Sequence, residues 1–296
     1  MPEPGRRGAR LRRVAALVVV AMVCALAGGG VAWGWWRTAG TATAPTARLT
    51  AGTVDVQVVG LGNGLVGRGG TVTLSALTLT GAVPGSGASE VVTVRNGGSR
   101  AATVSATASR TGTLGTAFTT SASFGAADTG SGCGAGTGGT ATIPAGGTAA
   151  LCLAVSLSAT APSTTQGQSG GMSVVLAAAL PGTSWTDTGT VLSGSVGAAT
   201  VPAPTLSCGL LGITSVTFTW TAVTTATRYQ FGYGPGGATT AQVAAGTTTY
   251  QVTGVATNAI ARVRAERVFT GGTTWSSAWS NTRRYTITLG LLGTCT

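Results

Sequence analysis

With 296 residues the chain has room for about two domains, but only 8% of them are charged, far below the ~25% of ordinary globular domains. It contains no histidine and no lysine, which excludes Ser-His-Asp, Cys-His and lysine-base catalysis in their ordinary forms. Of the formal +11, five charges are Arg6, Arg7, Arg10, Arg12 and Arg13. Later arginines are scattered except for Arg262, Arg264, Arg267, Arg283 and Arg284, so the pattern excludes the clustered charge of a nucleic-acid interface.

The N-terminus reads as an export segment. Arginines to residue 13 precede the uncharged run Val14 to Ala27 and then small residues, the three regions of a signal peptide. Ala25-Leu26-Ala27 fits a cleavage pattern, as does Ala42-Thr43-Ala44, although Pro45 follows the latter. The competing reading extends the apolar run to Trp36, long enough at about 20 residues to span a bilayer. The arginines would then stay inside, and Trp33, Trp35 and Trp36 would sit in the outer interface. Residues 1–44 are therefore either a signal peptide or a membrane anchor. In both cases residue 45 onwards is extracellular or on the outer cell surface, and contact with a membrane is through the N-terminal segment only.

From residue 45 to 200 the chain alternates in short bursts. RLTAGTVDVQVVG, TVTLSALTLT, SEVVTVRNGG, RAATVSATAS, AALCLAVSLS, GMSVVLAAAL and TGTVLSGSV place aliphatic residues at every second position, giving one core face and one solvent face per strand. Glycine, proline and serine clusters separate them at sandwich spacing. The glycine-rich GLGNGLVGRGG lacks the G-K-[ST] of a phosphate loop and reads as a hairpin connection. Residues of about 14–197, through GGGVAWGWWRTAGT, TARLTAGTVDVQV and LTGAVPGSGASEVVTVRNGGSRAATVSATAS, resemble the camelysin and TasA-like exported proteins. That resemblance implies a jelly-roll-like β-sandwich and subunits that assemble by adding the strand RLTAGTVDVQV to a neighbour's sheet. TAGTATAPTA stands where that family usually has an aspartate-rich stretch.

VPAPT at 201–205 marks an interdomain joint, dividing off a third region, residues 201–296. Here Trp220, Tyr229, Phe231, Tyr233, Tyr250, Trp275 and Trp279 concentrate. PAPTLSC, ITSVTFTWTAV, RYQFGYG, TTTYQVTGV, ARVRAERV and SSAWSNTRRYTI follow one another in an order that resembles a fibronectin type III domain over about residues 203–287. The resemblance implies a spacer or binding module, with Trp220 and Tyr229 in the core. Ala259 stands near where the family usually carries a tyrosine. The expected fold class is thus all-β, two sandwiches after an N-terminal apolar helix.

Four cysteines lie beyond the apolar segment, Cys133, Cys152, Cys208 and Cys295, an even number that in an exported chain reads as disulfides. Sequence proximity and the division at residue 201 favour Cys133 with Cys152 and Cys208 with Cys295. Without histidine or a C-x-x-C spacing, zinc is excluded. No catalytic, cofactor-binding or metal residue is expected, since the carboxylates stand singly and acid-base pairs need two within about 10 Å. The most pointed constellation is Trp275 and Trp279 beside Arg262 and Arg264. These residues read either as an arginine-tryptophan ladder or as an aromatic strip that stacks on sugars. The expected function is a non-enzymatic structural or adhesive protein of an envelope or extracellular matrix, with a carbohydrate-binding or cell-wall-docking module as the alternative. The expected partners are accordingly the chain itself or wall polysaccharide.

Overall fold

The computed structural model describes residues 53–59 and 70–296, so the expected signal or anchor segment, its helix and most of GLGNGLVGRGG lie outside the described residues. The strands are β1 (Val56–Val59), β2 (Thr71–Ala82), β3 (Gly87–Asn96), β4 (Ala102–Gly112), β5 (Phe118–Phe124), β6 (Thr140–Ile143), β7 (Thr148–Leu157), β8 (Ser169–Ala179) and β9 (Thr186–Ala198). They continue as β10 (Leu206–Leu211), β11 (Ser215–Trp220), β12 (Arg228–Tyr233), β13 (Thr239–Ala244), β14 (Thr249–Thr253), β15 (Ala256–Val268), β16 (Thr274–Ser276), β17 (Arg283–Ile287) and β18 (Thr294–Cys295). The described residues are all-β apart from three short 3-10 turns.

Strands β1 to β9 form two sheets, β1-β3-β7-β5 and β2-β9-β8-β4-β6. Alternation decides what faces inward. Val92 and Val94 of β3, Leu151, Leu153, Val155 and Leu157 of β7, and Val174 and Leu176 of β8 are all buried, and each such side chain contributes roughly 1.5–3 kcal/mol by leaving water. The pairing corrects the jelly-roll-like expectation. β2 runs parallel to β9, whereas β1-β3-β7-β5 and β9-β8-β4 are neighbours in the order of an immunoglobulin sandwich. Periodicity identifies strands but not their partners, and the jelly roll's paired Greek keys need a different set of partners.

Cys133 and Cys152 are bonded, with Cα atoms 5.8 Å apart, and hold the glycine-rich connection between β5 and β6 over the outer side of β7. Inside that connection Gly134 N–H donates to Ala127 O at 2.9 Å, and Asp128 accepts from the Ser89 hydroxyl and from Gly130 N–H.

Strands β10 to β18 pair only among themselves, as β10-β11-β14 and β13-β12-β15-β17-β18 with β16 on β15. Three strands facing four, β10-β11-β14 against β13-β12-β15-β17, is the arrangement that the fibronectin type III resemblance implies. Phe218, Phe231, Tyr229 and Trp220 fill the space between the sheets, with ring centroids 5.5–5.7 Å apart for Phe218–Phe231, Trp220–Tyr229 and Trp220–Phe231. Ala259 lies opposite Tyr285 in the ladder, and the Tyr285 phenol oxygen accepts from Gly234 N–H at 3.0 Å. Tyr285 thus supplies, from β17, a phenol that ties strand to loop. Cys208 is bonded to Cys295, fastening β10 to β18.

Candidate functional site

Arg262, Arg264 and Glu266 occupy alternate positions of β15 and share its outer face, while Ala261, Val263 and Ala265 point into the core and are fully buried. The neighbouring strand β12 sets Gly232 opposite Arg262, Gln230 opposite Arg264 and Arg228 opposite Glu266. Gly232 lets two neighbours approach closely, since a Cβ there would stand 3.1 Å from Gly237 O and 3.3 Å from Arg262 Cγ. Glu266 is buried and ion-paired on both oxygens, to Arg228 Nε at 2.7 Å and to Arg264 Nη2 at 3.4 Å. Two guanidinium partners are what a buried carboxylate needs to offset its desolvation.

The other side of β15 is occupied by a segment that is not a strand. Ser277 N–H donates to Ala265 O at 2.9 Å and Ser280 N–H to Val263 O at 2.8 Å. In return the Ser277 and Ser280 hydroxyls accept from Ala265 N–H and Val263 N–H, both at 3.0 Å. Two serine side chains thus replace carbonyls in the ladder. They hold Trp279 so that Arg262 and Arg264 lie over its indole, with guanidinium carbons 4.3 and 4.9 Å from the ring centroid. Contacts of this kind contribute roughly 0.5–1 kcal/mol each at partly exposed positions. The expected constellation thus divides: the structure brings together Arg262, Arg264 and Trp279, and it removes Trp275.

Trp275 is 0% exposed, so its expected place in a sugar-stacking strip is corrected. It sits on β16, in the hairpin after β15, and enters the joint between the two sandwiches. Its indole N–H donates to Ala161 O at 2.9 Å, and Phe269 meets it edge-on at 5.3 Å. Around it, Thr273 Oγ1 donates to Ala159 O at 2.9 Å, and Gln166 Nε2 donates to Ser276 O at 2.9 Å. Gln166 Oε1 also accepts from Val201 N–H at 2.8 Å. One glutamine thereby grips both the linker and the hairpin. The buried side chains on the two sides form one contiguous apolar cluster.

Sequence reasoning missed Ser277, Ser280 and Gln166. The serines beside Trp279 were a usable signal, because hydroxyl groups next to a strand edge can substitute for ladder partners. Nothing in its own neighbourhood distinguishes Gln166. Among the described residues, no group of three histidine, cysteine or acidic side chains is placed to hold a metal.

No protein-family model matches the chain, and no curated protein matches it. Solved structures to which it is similar include a two fibronectin type-III domain segment from chicken tenascin, 15% identical over 66% of this chain and 91% of that one, with a TM-score of 0.26. The FN1–FN3 domains of chicken CNTN1 are 14% identical over 74% of this chain, with a TM-score of 0.24. A set of domains from titin is 13% identical over 80% of this chain, with a TM-score of 0.26. The chain spans 66% of the length of each of the latter two.

Proposed function

We propose that this chain is a non-catalytic structural or adhesive protein that works outside the cytoplasm, two sandwiches acting as one stiff unit. The observation that carries the reading is the joint. A fully buried tryptophan and three side-chain hydrogen bonds cross it, where a flexible linker would serve a pair of independently acting domains. Two disulfides suit an oxidising compartment.

Assembly proceeds by exchange of β1. In the monomer β1 is an edge strand of four residues paired with β3, Val56 opposite Asn96 through Val59 opposite Thr93, and Val56 and Val58 are fully buried. The same strand donated to a second copy fills the same site with the same register, which is strand addition without a new interface. Electron microscopy and light scattering of purified protein test this. Growth with concentration that disappears on deletion of residues 45–58 is the expected result. Identical assemblies from the deleted protein sink it.

Carbohydrate docking is the second reading, with Trp279 as the observation that favours it, because this indole remains partly exposed. Retention on cellulose, chitin or peptidoglycan that is lost in Trp279→Ala supports it, and absence of retention on all three leaves assembly as the function.

A further inference from the structure

The second sandwich carries two copies of one tetrapeptide, Gly209-Leu210-Leu211-Gly212 and Gly290-Leu291-Leu292-Gly293. The fold brings them together. The first follows Cys208 and the second precedes Cys295, the two cysteines are bonded, and Gly293 N–H donates to Gly212 O at 2.9 Å. The turn between β14 and β15 joins them through Gly254 N–H to Thr214 O at 3.2 Å. On these three turns Leu210 (81%), Leu289 (73%), Leu291, Leu292, Ile213 and Val255 all face solvent.

This apolar pole lies at the far end of the sandwich from the joint. β15 starts beside it at Ala256 and runs 13 residues, about 40 Å, to the hairpin that carries Trp275. A single exposed leucine is ordinary, but six large aliphatic side chains gathered on neighbouring turns mark a contact surface. The disulfide and the glycine hydrogen bonds tie down the backbone of the turns that carry the leucines.

Charge selects the occupant. Residues 201–296 hold six arginines and one side-chain carboxylate, Glu266, and that carboxylate is buried between two arginines. Arg284 stands on the flank of the pole, its Nη1 donating to Asn258 Oδ1 at 3.0 Å, three residues beyond Val255. A second copy docked pole to pole would bring its own Arg284 against this one. An anionic lipid surface meets both demands, taking aliphatic crests into its acyl boundary and drawing Arg284 to its headgroups. We propose that this pole docks on an anionic bilayer, independently of the N-terminal segment and of whether β1 is exchanged.

The test is hydrogen exchange on the full chain reconstituted into vesicles of phosphatidylcholine alone or mixed with phosphatidylglycerol. Its readout is local, so membrane association through the N-terminal segment does not imitate it. Peptides spanning 209–214 and 288–293 are expected to exchange about tenfold more slowly on the mixed vesicles. The slowing should disappear in a Leu210→Ser, Leu291→Ser double variant and shrink in high salt with the wild-type chain. The salt arm stands even if the variant misfolds, which altered exchange in β11 and β15 would reveal. Equal exchange on both vesicles overturns the proposal. So does a slowing without lipid that grows with protein concentration, which identifies a second copy as the occupant.

Discussion

The two sandwiches solve the same packing problem with different materials. The first fills its core with valine, leucine and alanine on strands of up to 13 residues, and among its described buried residues only Phe118 and Phe124 are large rings. The second places Phe218, Trp220, Tyr229 and Phe231 on two strands of six residues each. Since each aromatic side chain buries about 150–250 Å², a short strand with two rings replaces a long aliphatic one. The disulfides differ in the same sense. One pins a loop on a strand, and the other ties the first strand of its sandwich to the last.

That contrast predicts unequal losses. Replacing Cys208 and Cys295 by serine opens a separation of 87 residues and should cost about 4.5 kcal/mol by chain entropy. The loss should appear as an earlier guanidinium transition, read by tryptophan fluorescence. Trp275→Ala comes next, at roughly 4 kcal/mol for a buried large-to-small change. It should also split one unfolding transition into two, because the variant uncouples the sandwiches, and a single transition at lower denaturant would show that Trp275 does not carry the coupling. The Cys133→Ser, Cys152→Ser pair, with a separation of only 19 residues, should cost about 3 kcal/mol and move the shared transition to lower denaturant by less than the Cys208→Ser, Cys295→Ser pair does.

The smallest effect is a pH dependence confined to the first sandwich. Burial, and secondarily the charge of Asp128, raise the pKa of Glu90 above its ordinary 4.5. The folded state therefore holds a proton that the unfolded chain releases, and stability falls as pH rises from 4.5 through the raised value. Asp128 acts in the opposite direction on the acid side. Hydrogen bonds from Ser89 and Gly130 hold it below its ordinary 3.8, so its contribution is lost as pH falls through the lowered value. Glu90→Gln should abolish the decline above pH 4.5 in denaturation midpoints while the acid-side loss remains.

Alternation made most long strands legible. TVTLSALTLT, RAATVSATAS and GMSVVLAAAL lie within β2, β4 and β8 or within two residues of their ends. FTTSASF and TATI, which form β5 and β6, went unread because small polar residues carry little periodic contrast. Partners were illegible for a different reason: β2 beside β9 joins segments more than 100 residues apart, which no local pattern encodes. In the candidate site, Arg262 and Arg264 were readable as one face of one strand. Trp275 and Trp279, four residues apart, appeared to share that face. The serine-bridged segment between them leaves the strand path, so side-chain parity does not carry across it, and one indole goes to the joint while the other goes to the arginines.

That same segment has a consequence for solubility. A chain rich in threonine and valine with long exposed sheet edges is prone to lateral fusion, because an unpaired strand offers its N–H and C=O groups to any other. At the middle of β15 the position next in the sheet is filled by Ser277 to Ser280, whose hydroxyls satisfy β15 without presenting a regular strand beyond it. β18 covers part of β17 on the same side. At this side of β15 the second sandwich ends its sheet with two hydroxyl groups and the short β18, which blocks unplanned sheet growth there.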